Sequence, residues 1–232
     1  MPAADFEQRK IPALVISRRN KRGAACRRKA ALPISASAGE GPKEMEAGKS
    51  PGGRQSMIRY RRLGAEEIDR ELFRGFIRRQ EVTKCWRKEN GRWVIRDDPF
   101  IDDWTEEEYQ ELVKLLRRTA DKGGFVYAAF SENALKGFAS VEAGLFGGEE
   151  RYLDLSSIHV SEDMRGRGIG KALFAAAKDW ARSQGAGKLY ISAHSAVESQ
   201  AFYQVMGCAE AKLYHMGHVA AEPYDCQLEC EI

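Results

Sequence analysis

The chain has 232 residues, 43% of them hydrophobic, which suits one sizeable domain or a domain plus a tail. No run approaches the roughly 18 apolar residues of a membrane helix, and five scattered cysteines with no C-x-x-C pair argue against zinc and redox motifs, so no metal is expected. The formal charge of +3 is unevenly placed: residues 1–56 hold 12 Lys+Arg and 5 Asp+Glu, leaving 25 basic and 29 acidic side chains in the other 176, which argues against a nucleic-acid-binding face on the folded part.

Residues 1–56 lack periodicity. Basic clusters (Arg18-Arg19, Lys21-Arg22, Arg27-Arg28-Lys29) precede a Gly-, Ser-, Ala- and Pro-rich run over 35–53. Such a segment buries too little apolar surface to offset its ordering entropy. It is expected to be a disordered extension, or sequence upstream of a true start at Met57; a nucleic-acid arm or transit peptide are the other readings. The odd cysteine count and the lack of a signal peptide point to the cytoplasm. The folded domain is placed at 57–232.

Met57 to Leu63 alternates apolar and basic residues, predicting a strand. Ala65 to Arg79 carries Ile68, Leu72, Phe73, Phe76 and Ile77 at helical spacing. Residues 85–104 combine aromatics, Trp86 among them, with Asp97, Asp98, Asp102 and Asp103. Thr105 to Glu108 reads as a capping box opening a helix to Thr119. Phe125 to Phe130 and Leu135 to Val141 read as a hairpin, and Tyr152 to Val160 as a strand. A helix over 168–184 follows, then a strand at Leu189 to Ile191. Ser195 to Glu198 reads as a second capping box, opening a short helix that Gly207 ends. Its apolar side is drawn through Val197, Ala201, Phe202 and Val205. Residues 212–214 and 226–228 are the last predicted strands.

Between the strand at 152–160 and its helix lies Arg165-Gly166-Arg167-Gly168-Ile169-Gly170-Lys171. A glycine-rich turn feeding a helix N-terminus gathers unsatisfied N–H groups and the positive end of the helix dipole, a site suited to phosphate. The spacing fails a P-loop, which needs a glycine where Arg165 stands and Ser or Thr where Ala172 stands. It also fails the dinucleotide fingerprint, having G-x-G-x-G and no acidic residue ending the next strand.

What remains is [RQ]-x-x-G-x-[GA], met by Arg165, Gly168 and Gly170. Here the chain resembles the GNAT superfamily, N-acetyltransferases that use acetyl-CoA. A second resemblance lies in Ala201-Phe202-Tyr203 with Gly207 four residues on, matching the family's aromatic-Tyr pair and closing glycine. Two departures stand out: Ala196 where the family often has an asparagine, and Cys208 where an aromatic is common. The resemblance implies an α/β fold with a mixed, mostly antiparallel sheet, its central strands splayed and flanked by helices. It implies that residues 165–171 (Arg165, Gly166, Arg167, Gly168, Ile169, Gly170, Lys171) bind the CoA pyrophosphate. Backbone near Ile158, His159 and Val160 would hold the acetyl carbonyl, and the helix side with Ser199 and Tyr203 would border the groove for the sulfur. It places the acceptor pocket near residues 85–104, where Trp86, Asp102 and Asp103 suit a cationic amine.

Acetyl transfer needs a neutral amine, a stabilised carbonyl oxygen and a departing thiolate. Tyr203 is the candidate acid. Asp154 and Glu142 are the carboxylate candidates for the base, and His159 and His194 the imidazole candidates. Strand parity places Asp154, Ser156, Ile158 and Val160 on one face, and Leu153, Leu155, Ser157 and His159 on the other. The expected acceptor is a primary amine of a small molecule or peptide, in a monomer or a homodimer. Two alternatives stay open: a non-catalytic acyl-CoA-binding module on the same fold, and a nucleic-acid-associated protein led by its basic tail.

Overall fold

A computed structural model describes residues 57–232, so the expectations for residues 1–56 lie outside the described residues. A seven-stranded sheet runs in the order β1-β4-β5-β6-β7-β9-β8. Its strands are β1 (Arg59–Arg62), β4 (Phe125–Ser131), β5 (Ala134–Val141), β6 (Tyr152–Val160), β7 (Lys188–Ala193), β8 (Ala209–Glu210) and β9 (Cys226–Glu231). Among the described residues only the central pair β6–β7 is parallel. A separate hairpin joins β2 (Arg79–Glu89) to β3 (Arg92–Asp103). The mixed, mostly antiparallel α/β architecture agrees with expectation.

Helices cover both sheet faces because both faces of β4 to β7 are apolar. On one face lies α1 (Glu106–Asp121), capped by Thr105 and Glu108 as the sequence predicts. It packs Tyr109, Leu112 and Leu116 against Phe73, Val126 and Phe138. On the other lie α2 (Ile169–Ser183) and α3 (Val197–Val205). Leu173, Phe174 and Ala177 meet Leu153, Leu155, Leu189 and Ile191 there. The approach of α2 is close enough that a Cβ on Gly137 would stand 2.8 Å from Ile169 Cγ2. No helix of the described residues is long and apolar enough to cross a membrane.

Four local expectations fail for identifiable reasons, and residues 85–104, given no element above, take a definite form. Residues 65–79 form two short 3-10 turns, Ala65–Glu67 and Glu71–Phe73, not one helix. The Asp69 carboxylate accepts the Leu72 N–H at 2.8 Å, a side-chain competitor for the helical ladder. Residues 85–104 form the β2–β3 hairpin, turned by Asn90 and Gly91 at φ 49° and 77°. That Asn-Gly pair is the signal from which the hairpin is readable.

The capping box at Ser195 does not form. Ser195 gives its carbonyl to Trp86 N–H at 2.8 Å and its Oγ to Arg87, so α3 starts behind Ala196 with no side-chain cap. Its buried residues are Gln200 and Tyr203, while Val205 is 79% exposed, so the predicted apolar side is not the inward one. Residues 212–214 form no strand; β8 pairs with β9 instead, and an unpredicted helix α4 (Met216–Ala221) follows.

Candidate active site

β6 pairs with β7 only over Tyr152, Asp154 and the residue between them. Beyond Asp154 and Tyr190 the strands part. β7 continues against β9, and β6 continues against β5. The cause lies in β6: the register with β5 shifts between Ser140 and Val141, leaving Ser156 unpaired, and a bulge of this kind bends and twists a strand.

The bulge also reverses strand parity. Leu153 and Leu155 share the α2 face with Ile158 and Val160, while His159 packs on the α1 face against Phe138 and Trp104. Asp154 therefore does not share a face with Ile158 and Val160, as uninterrupted alternation would require. Ser161 donates its N–H to Lys136 O at 2.9 Å. By alternation, His159 also spends its N–H on β5, whereas Ile158 and Val160 direct theirs into the fork. His159 thus offers no backbone donor there, contrary to expectation.

At the open end of the fork the chain turns through Arg165 to Lys171. Gly166 and Gly168 have φ 75° and 79°, and a Cβ on either would meet nothing within 4 Å. What they supply is left-handed backbone rather than clearance. Gly170 differs: its Cβ would lie 3.3 Å from Phe202 and 3.6 Å from Val160, so it lets α2, α3 and β6 meet. Gly168 caps α2, whose first N–H groups have no partner within the helix. Arg165, Arg167 and Lys171 are exposed beside it, and Arg165 Nε reaches Val160 O at 3.3 Å.

Tyr203 sits on the inward face of α3, 8% exposed, edge-on to Phe174 and Phe202. Burial pushes its phenol well above the usual tyrosine range, so it stays protonated. Ser199 is half-buried one turn earlier. Ala196 is fully buried, bridged to Cys85 of β2 and packed with Val82. The hairpin thus occupies the space a longer side chain at 196 would need.

On the α1 face the structure brings Asp154 and Glu142 together. Glu142 N–H donates to Asp154 O at 2.9 Å, making them cross-strand neighbours. Glu142 accepts from Thr119 Oγ1 at 2.5 Å and Ser156 Oγ at 3.3 Å. Asp154 Oδ2 lies 2.8 Å from His218 Nε2, a partner on α4 that no sequence motif marks. Burial opposes charge on His218, but the Asp154 carboxylate outweighs it and raises the imidazole pKa above 6.5. His159 shows the reverse: burial, then Arg78 nearby, holds it well below 6.5 and therefore neutral.

The residues expected to receive a cationic substrate are dispersed. Asp102 pairs with Arg78 at 2.5 Å and lies 3.7 Å from His194. Asp98 pairs with Arg87, and Asp97 reaches Lys84 at 4.0 Å. Asp103 is exposed and alternates away from Asp102. Trp86 lies toward the other end of the hairpin, where it lines a cavity of about 230 Å³ with Trp93, Gln200, Gln204 and Leu228. These four aspartates do not form one open acidic pocket, because three already neutralise basic side chains.

The family model described as "Acetyltransferase (GNAT) family" matches residues 83–208, just over half of the chain. Among solved structures, nourseothricin acetyltransferase aligns at TM-score 0.55 and 19% identity, over 75% of this chain and 98% of that one. A candidate streptothricin acetyltransferase from Bacillus anthracis str. Ames, in complex with acetyl coenzyme A, aligns at TM-score 0.58 and 16% identity, over 76% and 99%. Identities this low show a shared fold. No curated protein sequence matches the chain.

Proposed function

The chain belongs to the GNAT acetyltransferase family, and from that premise we propose that it transfers the acetyl group of acetyl-CoA to a primary amine of a small molecule or peptide. The amine attacks directly within a ternary complex. One observation carries the reading: a fork between β6 and β7, lined by the N–H groups of Ile158 and Val160, leads to a left-handed glycine loop at the N-terminus of α2.

The residues present fit acetyl-CoA. The backbone from Gly166 to Lys171, with Arg165 and Arg167, offers donors and positive charge to the pyrophosphate. The Ile158 and Val160 N–H groups suit the pantetheine amides and the thioester carbonyl, where preorganised donors act as charge develops. Tyr203 keeps its proton and can donate it toward the departing sulfur. Asp154 and Glu142 are buried carboxylates where the fork opens, on the α1 face, and are the candidates to meet the acceptor.

The test measures free thiol released from acetyl-CoA across a panel of primary amines, with calorimetry of acetyl-CoA binding alongside. Amine-dependent release is expected. Failure of the wild-type chain to bind acetyl-CoA would overturn the proposal.

A further inference from the structure

The Asp154–His218 contact has the form of an oriented base. Both side chains are largely buried, at 6% and 11% exposure. Asp154 sits where β6 and β7 separate. The His218 ring stacks on Tyr190 of β7 at 5.8 Å and 23°. The Tyr190 hydroxyl accepts the His215 N–H at 2.8 Å and so ties the start of α4 to the sheet. A carboxylate at Nε2 selects the tautomer with the proton on Nε2 and the lone pair on Nδ1. That Nδ1 has no hydrogen-bond partner among the described residues.

A second observation is independent of the first. Asp154 Oδ1 is buried and has no hydrogen-bond partner among the described residues. A buried carboxylate oxygen lacking a donor is costly, and a bound N–H would satisfy it. Glu142 differs, since its Oε1 already accepts from Thr119 and Ser156.

We propose that His218 takes the proton of the attacking amine on Nδ1 across one water, while Asp154 holds the imidazole through Oδ2 and receives another N–H of the amine on Oδ1. This rests on the acetyl-transfer reading above. Written for the neutral amine, the N–C bond forms as the C–S bond breaks. The one proton lost from nitrogen goes to His218, and the C–S electron pair leaves on sulfur. The acceptor class follows: an amine with at least two N–H bonds, a primary amine.

The groups facing His218 agree with this role. Asp154, Asp225 and Glu142 favour its protonated form against burial. His215, 4.7 Å away at the N-cap of the same helix, is held below the usual imidazole range by burial and by His218, and so is the weaker base of the two. A base strengthened in this way works near neutral pH.

Two measurements on the full chain test the proposal. In an NMR titration of the four histidines, the signal missing in His218→Gln should titrate above 6.5 in the wild type, and Asp154→Asn should lower that midpoint. In kinetics with the best acceptor among spermidine, lysine and a short peptide, His218→Gln should lower kcat/KM by about 10²–10⁴-fold. It should also remove the acidic limb of the pH profile and leave acetyl-CoA affinity unchanged. A His218 midpoint at or below 6.5, or a His218→Gln variant with the wild-type rate and pH profile, would overturn it. Those results would leave acetyl transfer standing, whereas a wild-type chain that does not bind acetyl-CoA defeats the wider reading. Should His218→Gln not fold, Asp154→Asn and the wild-type titration still decide the matter.

Discussion

The Asp102 carboxylate lies 2.5 Å from Nη2 of Arg78, with both side chains largely buried. This pairing withdraws Asp102 from the carboxylates open to a cationic substrate. Asp102→Asn should therefore act on stability, costing roughly 3 kcal/mol by stranding a buried guanidinium. Asp103→Asn, on an exposed position, should change stability by no more than about 0.5 kcal/mol. Urea denaturation of both variants checks this. Unchanged stability in Asp102→Asn, with a raised KM for the amine, would return Asp102 to the acceptor site.

Gly168 carries the loop conformation at φ 79°. A β-branched residue is strained there by about 1–2 kcal/mol, although nothing obstructs its Cβ. Gly168→Val should fold, melt somewhat lower, and lose tenfold or more in acetyl-CoA affinity, about 1.4 kcal/mol. Calorimetry reads the affinity. An unchanged value would remove the loop from the cofactor site.

Tyr203→Phe deletes only the hydroxyl and keeps the ring against Phe174 and Phe202. Thiolate is already a fair leaving group, so acid assistance should be worth about 10- to 100-fold in kcat. Acetyl-CoA affinity and Tm should hold. Loss of stability together with affinity would make Tyr203 a packing residue only.

The raised pKa of His218 links stability to pH. A group whose folded pKa exceeds its unfolded value stabilises fully below the unfolded value and ceases to as pH rises through the folded one. The contact with Asp154 should therefore count fully below 6.5 and be lost as pH rises through the raised folded value. The stability difference between wild type and His218→Gln should be larger at about pH 6 than at about pH 9. Equal differences would mean that His218 does not titrate against Asp154.

The glycine loop is written in contiguous residues, whereas the surroundings of the buried carboxylates depend on packing between distant segments. Arg165, Gly168 and Gly170 are legible because a left-handed turn into a helix is encoded by contiguous residues. The Thr105–Glu108 cap is legible for the same reason, as its bonds span three residues. Ser195 shows the limit: its local pattern promises a cap, but the edge of β2, more than a hundred residues earlier, claims its carbonyl and hydroxyl. Simple alternation puts Asp154 on the wrong face, because the bulge at Ser156 is set by the register with β5. Asp102 reads as an open acid until Arg78 is placed beside it. His218 belongs to no motif; its meaning comes from the tertiary fold, which brings an imidazole of α4 2.8 Å from a carboxylate 64 residues away. Backbone conformation is a local property of the chain, whereas the partner of a buried charge is chosen by the fold.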